Sequence, residues 1–195
     1  MGTKHGQKKR FTLEQVARIR HMLIEEQNQR DRALLDVSIS TMLRSVDLLN
    51  LRIRDVIDHR GKFAQEFKVI QQKTGQPVVC QLGSHARKGL AWLTASYEKQ
   101  PDDYIFTHEN PKIKRRLQRV TWSIIIKKWA YELGLDPELY STHSMRRTRA
   151  AHVYRETQDI ETVRILLGQT SLAAPQRYLG VDEAQALEKG RKWEM

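Results

Sequence analysis

Along this chain the spacing of apolar positions changes twice. Val16, Ile19 and Leu23 recur at helical spacing behind Thr12, a residue type that caps helix N-termini, so a helix is predicted to open at residues 11–12. Leu34, Leu35, Ile39 and Leu43 predict a second helix over 29–43, and a third, shorter one spans 46–51. The pattern then shifts. IRDVID, the turn HRGK, FAQEFKVIQQ, the turn KTGQ and PVVCQL read as a small three-stranded antiparallel meander. After Ser84 helical spacing returns over 85–98, 119–133, 143–156 and 159–167, then over 171–179 and 182–190. Pro101, Pro111 and Pro137 mark connections between these segments. The expected fold is mainly α (α+β), a multi-helix domain over 11–181 with one small sheet inserted after the third helix. Residues 1–10 read as a flexible basic arm and 182–195 as a C-terminal helix or tail.

Charge narrows the partner. Thirty-four Lys and Arg stand against 23 Asp and Glu, a net +11, which points to a polyanion, with nucleic acid ahead of an acidic membrane surface. Cys80 is the only cysteine, which excludes an intramolecular disulfide or a cysteine-based zinc site and suits a reducing cytosol. The first ten residues, MGTKHGQKKR, are polar and basic and do not resemble a signal peptide. Apolar runs such as SIIIKKWA are too short to span a bilayer. The seven histidines form no H-E-x-x-H spacing, and P-loop, G-x-G-x-x-G and paired-carboxylate nuclease patterns are absent. The expectation is a soluble intracellular protein.

Several side chains could carry chemistry. In THSMRRTRA, His143 and Arg146 are one helical turn apart, and Ser141 or Thr142 can cap that helix so that His143 lies in its first turn, where backbone N–H groups favour an anion. Spacing alone fits a phosphate cradle and a solvated basic face equally. Arg44 sits at a break between two helices among apolar neighbours, so its head either points into a cleft or pairs with Asp47. Lys73 borders the turn KTGQ, where a solvated lysine is ordinary but a loop can also reach a ligand. PKIKRRLQR supplies Lys112, Lys114, Arg115, Arg116 and Arg119 with no acid between them, as a phosphate-binding strip or a solvated loop. Gln169 follows Gly168 on an exposed turn, and Tyr178 alone reads as a packing residue.

Together these segments resemble the catalytic domain of the tyrosine recombinase (phage integrase) family. TMLRSVDLLNLRIRDV is similar to its first-arginine motif, VIQQKTGQPVVCQL to its lysine-bearing hairpin, THSMRRTRAAHVY to its His-x-x-Arg helix, and LLGQTSLAAPQRYLG to its Leu-Gly-His…Tyr segment. The likeness runs over about 11–190, and four motifs in order at fitting spacings are specific where each alone is weak. It implies Arg44 and Arg146 as a phosphate clamp, Lys73 as general acid, His143 as assisting acid/base, Tyr178 as nucleophile, Gln169 at a position contacting the phosphate, and Asp47 in support of Arg44. It implies duplex DNA as partner, contacted also by Arg147. It also implies a homo-oligomer, a tetramer on paired sites, with the C-terminal segment docking on a neighbouring protomer, in a prokaryotic cytoplasm.

Four departures stand out. Met42 replaces the family's glycine, Asp47 its glutamate, Arg147 a frequent second histidine, and Gln169 its histidine or tryptophan. A glutamine amide donates a hydrogen bond but carries neither proton nor charge. About ten residues precede Phe11, so the resemblance implies a short form or an isolated catalytic fragment. The expected activity is metal- and ATP-independent DNA cleavage and rejoining through a 3′-phosphotyrosine. The alternatives are a DNA-binding relative with weakened catalysis and type IB topoisomerase-like relaxation.

Overall fold

Thr12 opens the first helix. In the computed structural model, which describes residues 8–108, 110 and 112–171, its hydroxyl accepts from Gln15 N–H while the Gln15 side chain returns to the Thr12 N–H. This reciprocal cap satisfies two backbone donors that a helix start otherwise leaves open. The helix, α1 (Leu13–Glu25), buries Val16, Ile19 and Leu23 as the spacing predicts.

Asn28 caps α2 (Gln29–Thr41), which runs through the middle of the core: Ala33, Leu34, Leu35 and Val37 are wholly buried. It packs against α5 (Ser84–Ser96) at Gly89, where a Cβ would lie 3.2 Å from the Ala33 Cα, so the close approach depends on the missing side chain. At its end Met42 takes the left-handed conformation (φ 51°) and donates its N–H to the Ser38 carbonyl. The chain then reverses through extended Arg44 into α3 (Ser45–Asn50).

Residues expected as the first strand of the meander fold otherwise. Ile53 and Val56 bury one turn apart in a short helix, α4 (Ile53–Val56), whose start is held by the Asp55 carboxylate accepting from Arg52 N–H. The i, i+3 apolar pair fits a helical turn as well as an alternating strand, and the cap decides. An isolated bridge joins Ile57 to Phe63. Among the described residues the sheet therefore has two strands, β1 (Glu66–Ile70) and β2 (Pro77–Gln81), antiparallel with Phe67 opposite Cys80.

After α5 come α6 (Arg119–Glu132), a 3-10 turn (Pro137–Leu139), α7 (Thr142–Thr157) and α8 (Ile160–Leu166). Trp122 and Trp129 of α6 meet edge to face in the core, with ring centres 5.2 Å apart. The last residues of the expected arm are tied down: Lys8 Nζ donates to the Glu138 carbonyl and Lys9 N–H to the Leu139 carbonyl. The segments expected helical at 172–179 and 182–190, and the tail at 182–195, lie outside the described residues. Among the described residues no helix is long and apolar enough to cross a membrane.

Candidate active site

The site is assembled where α2 ends, α7 begins and the β1–β2 turn meets the end of α8. Ser141 caps α7, its hydroxyl accepting from His143 N–H, and Ser144 completes the box. His143 thus occupies the first turn and Arg146 follows one turn later, as the spacing predicts. Arg146 is buried, 1% exposed, beside the core residue Met145. Its guanidinium donates to the Met42 carbonyl and, at 3.3 Å, to the Leu167 carbonyl. A buried guanidinium is stabilised when its forked donors meet fixed acceptors, and here two turn carbonyls supply them.

Arg44 approaches from the other side. Its Nη1 donates at 2.6 Å to Gln71 Oε1, and no ion pair joins it to Asp47 among the described residues. Asp47 instead accepts the Gln72 backbone N–H at 2.9 Å, so it holds the hairpin next to Gln71, the residue that Arg44 contacts. Burial comes first in holding the His143 imidazole below the ordinary histidine range, followed by the charges of Arg146, Arg147, Arg44 and Arg119. These guanidiniums converge on one imidazole although their positions run from 44 to 147 in the sequence. Cations around a helix N-terminus form an anion site.

Lys73 is exposed at the hairpin turn. The turn is held beneath it: Gln71 N–H donates to the Gln76 carbonyl, and Gly75, at φ 66°, donates to the Gln71 carbonyl. Gln169 lies just past α8. Its backbone carbonyl accepts from Arg164, while its amide Oε1 is buried without a hydrogen-bond partner among the described residues. Tyr178 lies outside the described residues.

The basic strip is divided. Lys99, buried enough that its amine is pulled down to about 8, fastens the preceding loop by donating to the Tyr104 carbonyl and Thr107 Oγ1. Arg116 donates to the Asn50 side chain and Lys114 pairs with Asp103 at 3.3 Å, whereas Lys112, Arg115 and Arg119 are exposed. Arg147 donates to the Lys8 carbonyl.

Residues 9–185 match the phage integrase family. The chain belongs to that family. The probable integrase/recombinase YoeC of Bacillus subtilis (strain 168) is 26% identical over 172 residues, covering 88% of this chain and 88% of that protein. Tyrosine recombinase XerD of Yersinia pestis is 28% identical over 155 residues, covering 78% of this chain and 50% of that protein. The chain spans about half the length of the XerC and XerD relatives it matches. Among solved structures, XerA recombinase aligns with a TM-score of 0.74 at 20% identity, over 97% of this chain and 66% of that one. XerH recombinase bound to its difH substrate aligns at 0.72 and 19% identity, over 96% of this chain and 55% of that one. These likenesses establish a phage integrase catalytic fold.

Against the integrase pattern, Met42 has a physical reading. The glycine it replaces belongs at a left-handed helix end, and Met42 adopts that conformation while burying its side chain with Ala150, Val163 and Leu167. Two site features lay beyond sequence reasoning: Gln71, 1% exposed, and the Leu167 carbonyl. Gln71 stands next to the motif lysine's turn, but a glutamine in a polar QQKTGQ run carries no periodic or charge signal.

Proposed function

We propose that this chain is the catalytic domain of a site-specific DNA recombinase that cleaves and rejoins strands through a covalent 3′-phosphotyrosine. The observation that carries the reading is the meeting of Arg44, His143 and Arg146 at one helix N-terminus, with the lysine hairpin tied to the same cluster through Gln71. Family membership supplies the class of reaction.

In this mechanism the Tyr178 oxygen attacks the scissile phosphorus, and the phosphorus–5′-oxygen bond breaks. Lys73 gives its proton to the departing 5′-oxygen, and His143 takes or returns the proton at the attacking side. The phosphorus passes through a five-coordinate state with added negative charge, which Arg44 and Arg146 face as permanently charged forks. Fixed donors of this kind commonly supply about 3–4 kcal/mol each. The phosphotyrosine conserves the bond energy, so rejoining requires neither ATP nor a divalent metal. The partner is duplex DNA, contacted along Lys112, Arg115 and Arg119, and strand exchange takes place in a homo-oligomer, a tetramer on two sites, in the cytoplasm of a prokaryote.

A second reading, an accessory DNA-binding relative with weakened cleavage, is favoured by the uncharged Gln169, whose amide oxygen has no partner among the described residues. Nicked suicide DNA from the cognate genomic locus, incubated with the protein without metal, separates the two. A covalent adduct lost in Tyr178→Phe supports the first reading. DNA binding without adduct supports the second, and relaxation of supercoils without recombinant products indicates a topoisomerase.

A further inference from the structure

Gln71 joins groups that the proposed reaction requires to act together. It is almost fully buried, 1% exposed, at the base of a polar turn whose next five residues are exposed. Both faces of its amide are used. Oε1 accepts from Arg44 Nη1 at 2.6 Å and from the Thr74 hydroxyl at 3.0 Å, and Nε2 donates to the Leu167 carbonyl at 3.2 Å. That same carbonyl accepts from Arg146 at 3.3 Å. One side chain therefore lies between the two guanidiniums, on an unbroken chain of hydrogen bonds from Arg44 through Gln71 and Leu167 to Arg146.

The surroundings are built around this amide. At Gly168 a Cβ would lie 2.5 Å from Gln71 Nε2, so a side chain there would displace it. On the hairpin side, Gln71 carries both ends of the turn: its N–H donates to the Gln76 carbonyl, and its carbonyl accepts from Thr74 and Gly75 N–H. Lys73 lies inside that turn, so the position of its backbone follows that of Gln71. Thr74 adds a side-chain contact to the same oxygen that Arg44 uses.

We propose that Gln71 is a positioning residue. It sets the Arg44 fork relative to Arg146 and registers the Lys73 turn on both, so that clamp and acid address one phosphate. It touches no reacting atom. This inference rests on the recombinase reading and adds to it a residue that acts through the catalytic ones. A neutral amide suits the role: it accepts from a cation without cancelling its charge and donates to a carbonyl, which neither a carboxylate nor an apolar chain does.

The test is single-turnover cleavage of suicide DNA at saturating protein, beside equilibrium binding to the same DNA, for wild type, Gln71→Met, Arg44→Lys and the double variant. Misplacement of catalytic groups by about 1 Å costs on the order of 100-fold, so Gln71→Met is expected to cleave about 100-fold more slowly. Its DNA affinity should stay unchanged. Because Gln71 acts in part through Arg44, the double variant is expected to lose clearly less than the product of the two single losses. Wild-type cleavage by Gln71→Met, or losses that multiply in the double variant, overturns the proposal while leaving the recombinase reading in place. Absence of any wild-type adduct would instead remove the recombinase reading itself, and the inference with it. Should Gln71→Met fail to fold, the exposed Thr74→Val removes one donor to the same oxygen. It is expected to slow cleavage at unchanged affinity, and unchanged cleavage overturns the proposal.

Discussion

The Met42 carbonyl accepts a hydrogen bond from the Arg146 guanidinium, across 104 residues of sequence. Met42 directly precedes the Leu43–Arg44 pair, so one left-handed helix end leads into Arg44 and also anchors the Arg146 guanidinium. The conformation costs a non-glycine residue about 1–2 kcal/mol. The buried methionine side chain, 2% exposed, offsets it by filling the pocket formed with Ala150, Val163 and Leu167.

Replacing Met42 with the family's glycine is therefore expected to destabilise the protein. Emptying such a site costs about 2–5 kcal/mol, and relief of the left-handed strain returns about 1–2, for a net loss centred on about 2 kcal/mol. Equilibrium urea denaturation of Met42→Gly reads this directly, and a raised midpoint would show that backbone strain outweighs packing.

Arg146→Lys keeps the charge but loses the fork that spans the Met42 and Leu167 carbonyls. Its cleavage rate is expected to fall by about 100- to 1,000-fold, the usual effect of removing one fixed donor to developing charge. Single-turnover adduct formation on suicide DNA measures it. A loss below tenfold would mean that charge alone suffices.

The His143 imidazole is held below the usual 6.5 by burial first and then by four guanidiniums. The unfolded chain therefore takes up a proton before the folded one does as pH falls through about 6.5. This contribution to stability is intact above that pH and is lost as pH falls through the folded value. Imidazole NMR titration should give a midpoint below 6.5 that moves upward in Arg119→Gln. A midpoint at or above 6.5 would contradict the clustering of those charges.

The divided basic strip predicts unequal salt effects. Each phosphate neutralised contributes about 0.9 to the slope of log K against log salt. Arg115→Gln should lower the slope by roughly that amount. Arg116→Gln, whose guanidinium is engaged with Asn50, should lower it less. Equal changes in the two variants would show that the Asn50 contact opens on DNA.

Gln169→His restores a group that can carry charge at a position whose present amide oxygen is unpartnered among the described residues. Cleavage is expected to rise, with DNA affinity little changed. An unchanged rate would show that this position does not limit the reaction.

The parts of this molecule that were legible from sequence are those whose signal is local. Thr12 and Gln15 announce a helix start, Val16, Ile19 and Leu23 its buried face, and His143 and Arg146 a shared turn. The misread strand at 53–58 fails because two apolar residues cannot separate a period of two from a helical turn, and Asp55 closes a cap instead. Pairing of Arg44 with Asp47 looked natural from their spacing, yet Gln71 takes the guanidinium and Gln72 the carboxylate. Gln71 itself was invisible because its burial arises from contacts 27 and 96 residues away. Tertiary hydrogen bonding of a neutral side chain leaves no trace in composition or periodicity.

The central claim is that Arg44, Lys73, His143, Arg146 and Tyr178 act on one DNA phosphate. Its most direct measurement is metal-free incubation with nicked cognate suicide DNA, followed by protease digestion and mass spectrometry of the adduct. The account predicts a 3′-phosphate ester on Tyr178, abolished in Tyr178→Phe and strongly reduced in Arg44→Lys and Arg146→Lys. An adduct on another residue, or cleavage that persists in Tyr178→Phe, would contradict it.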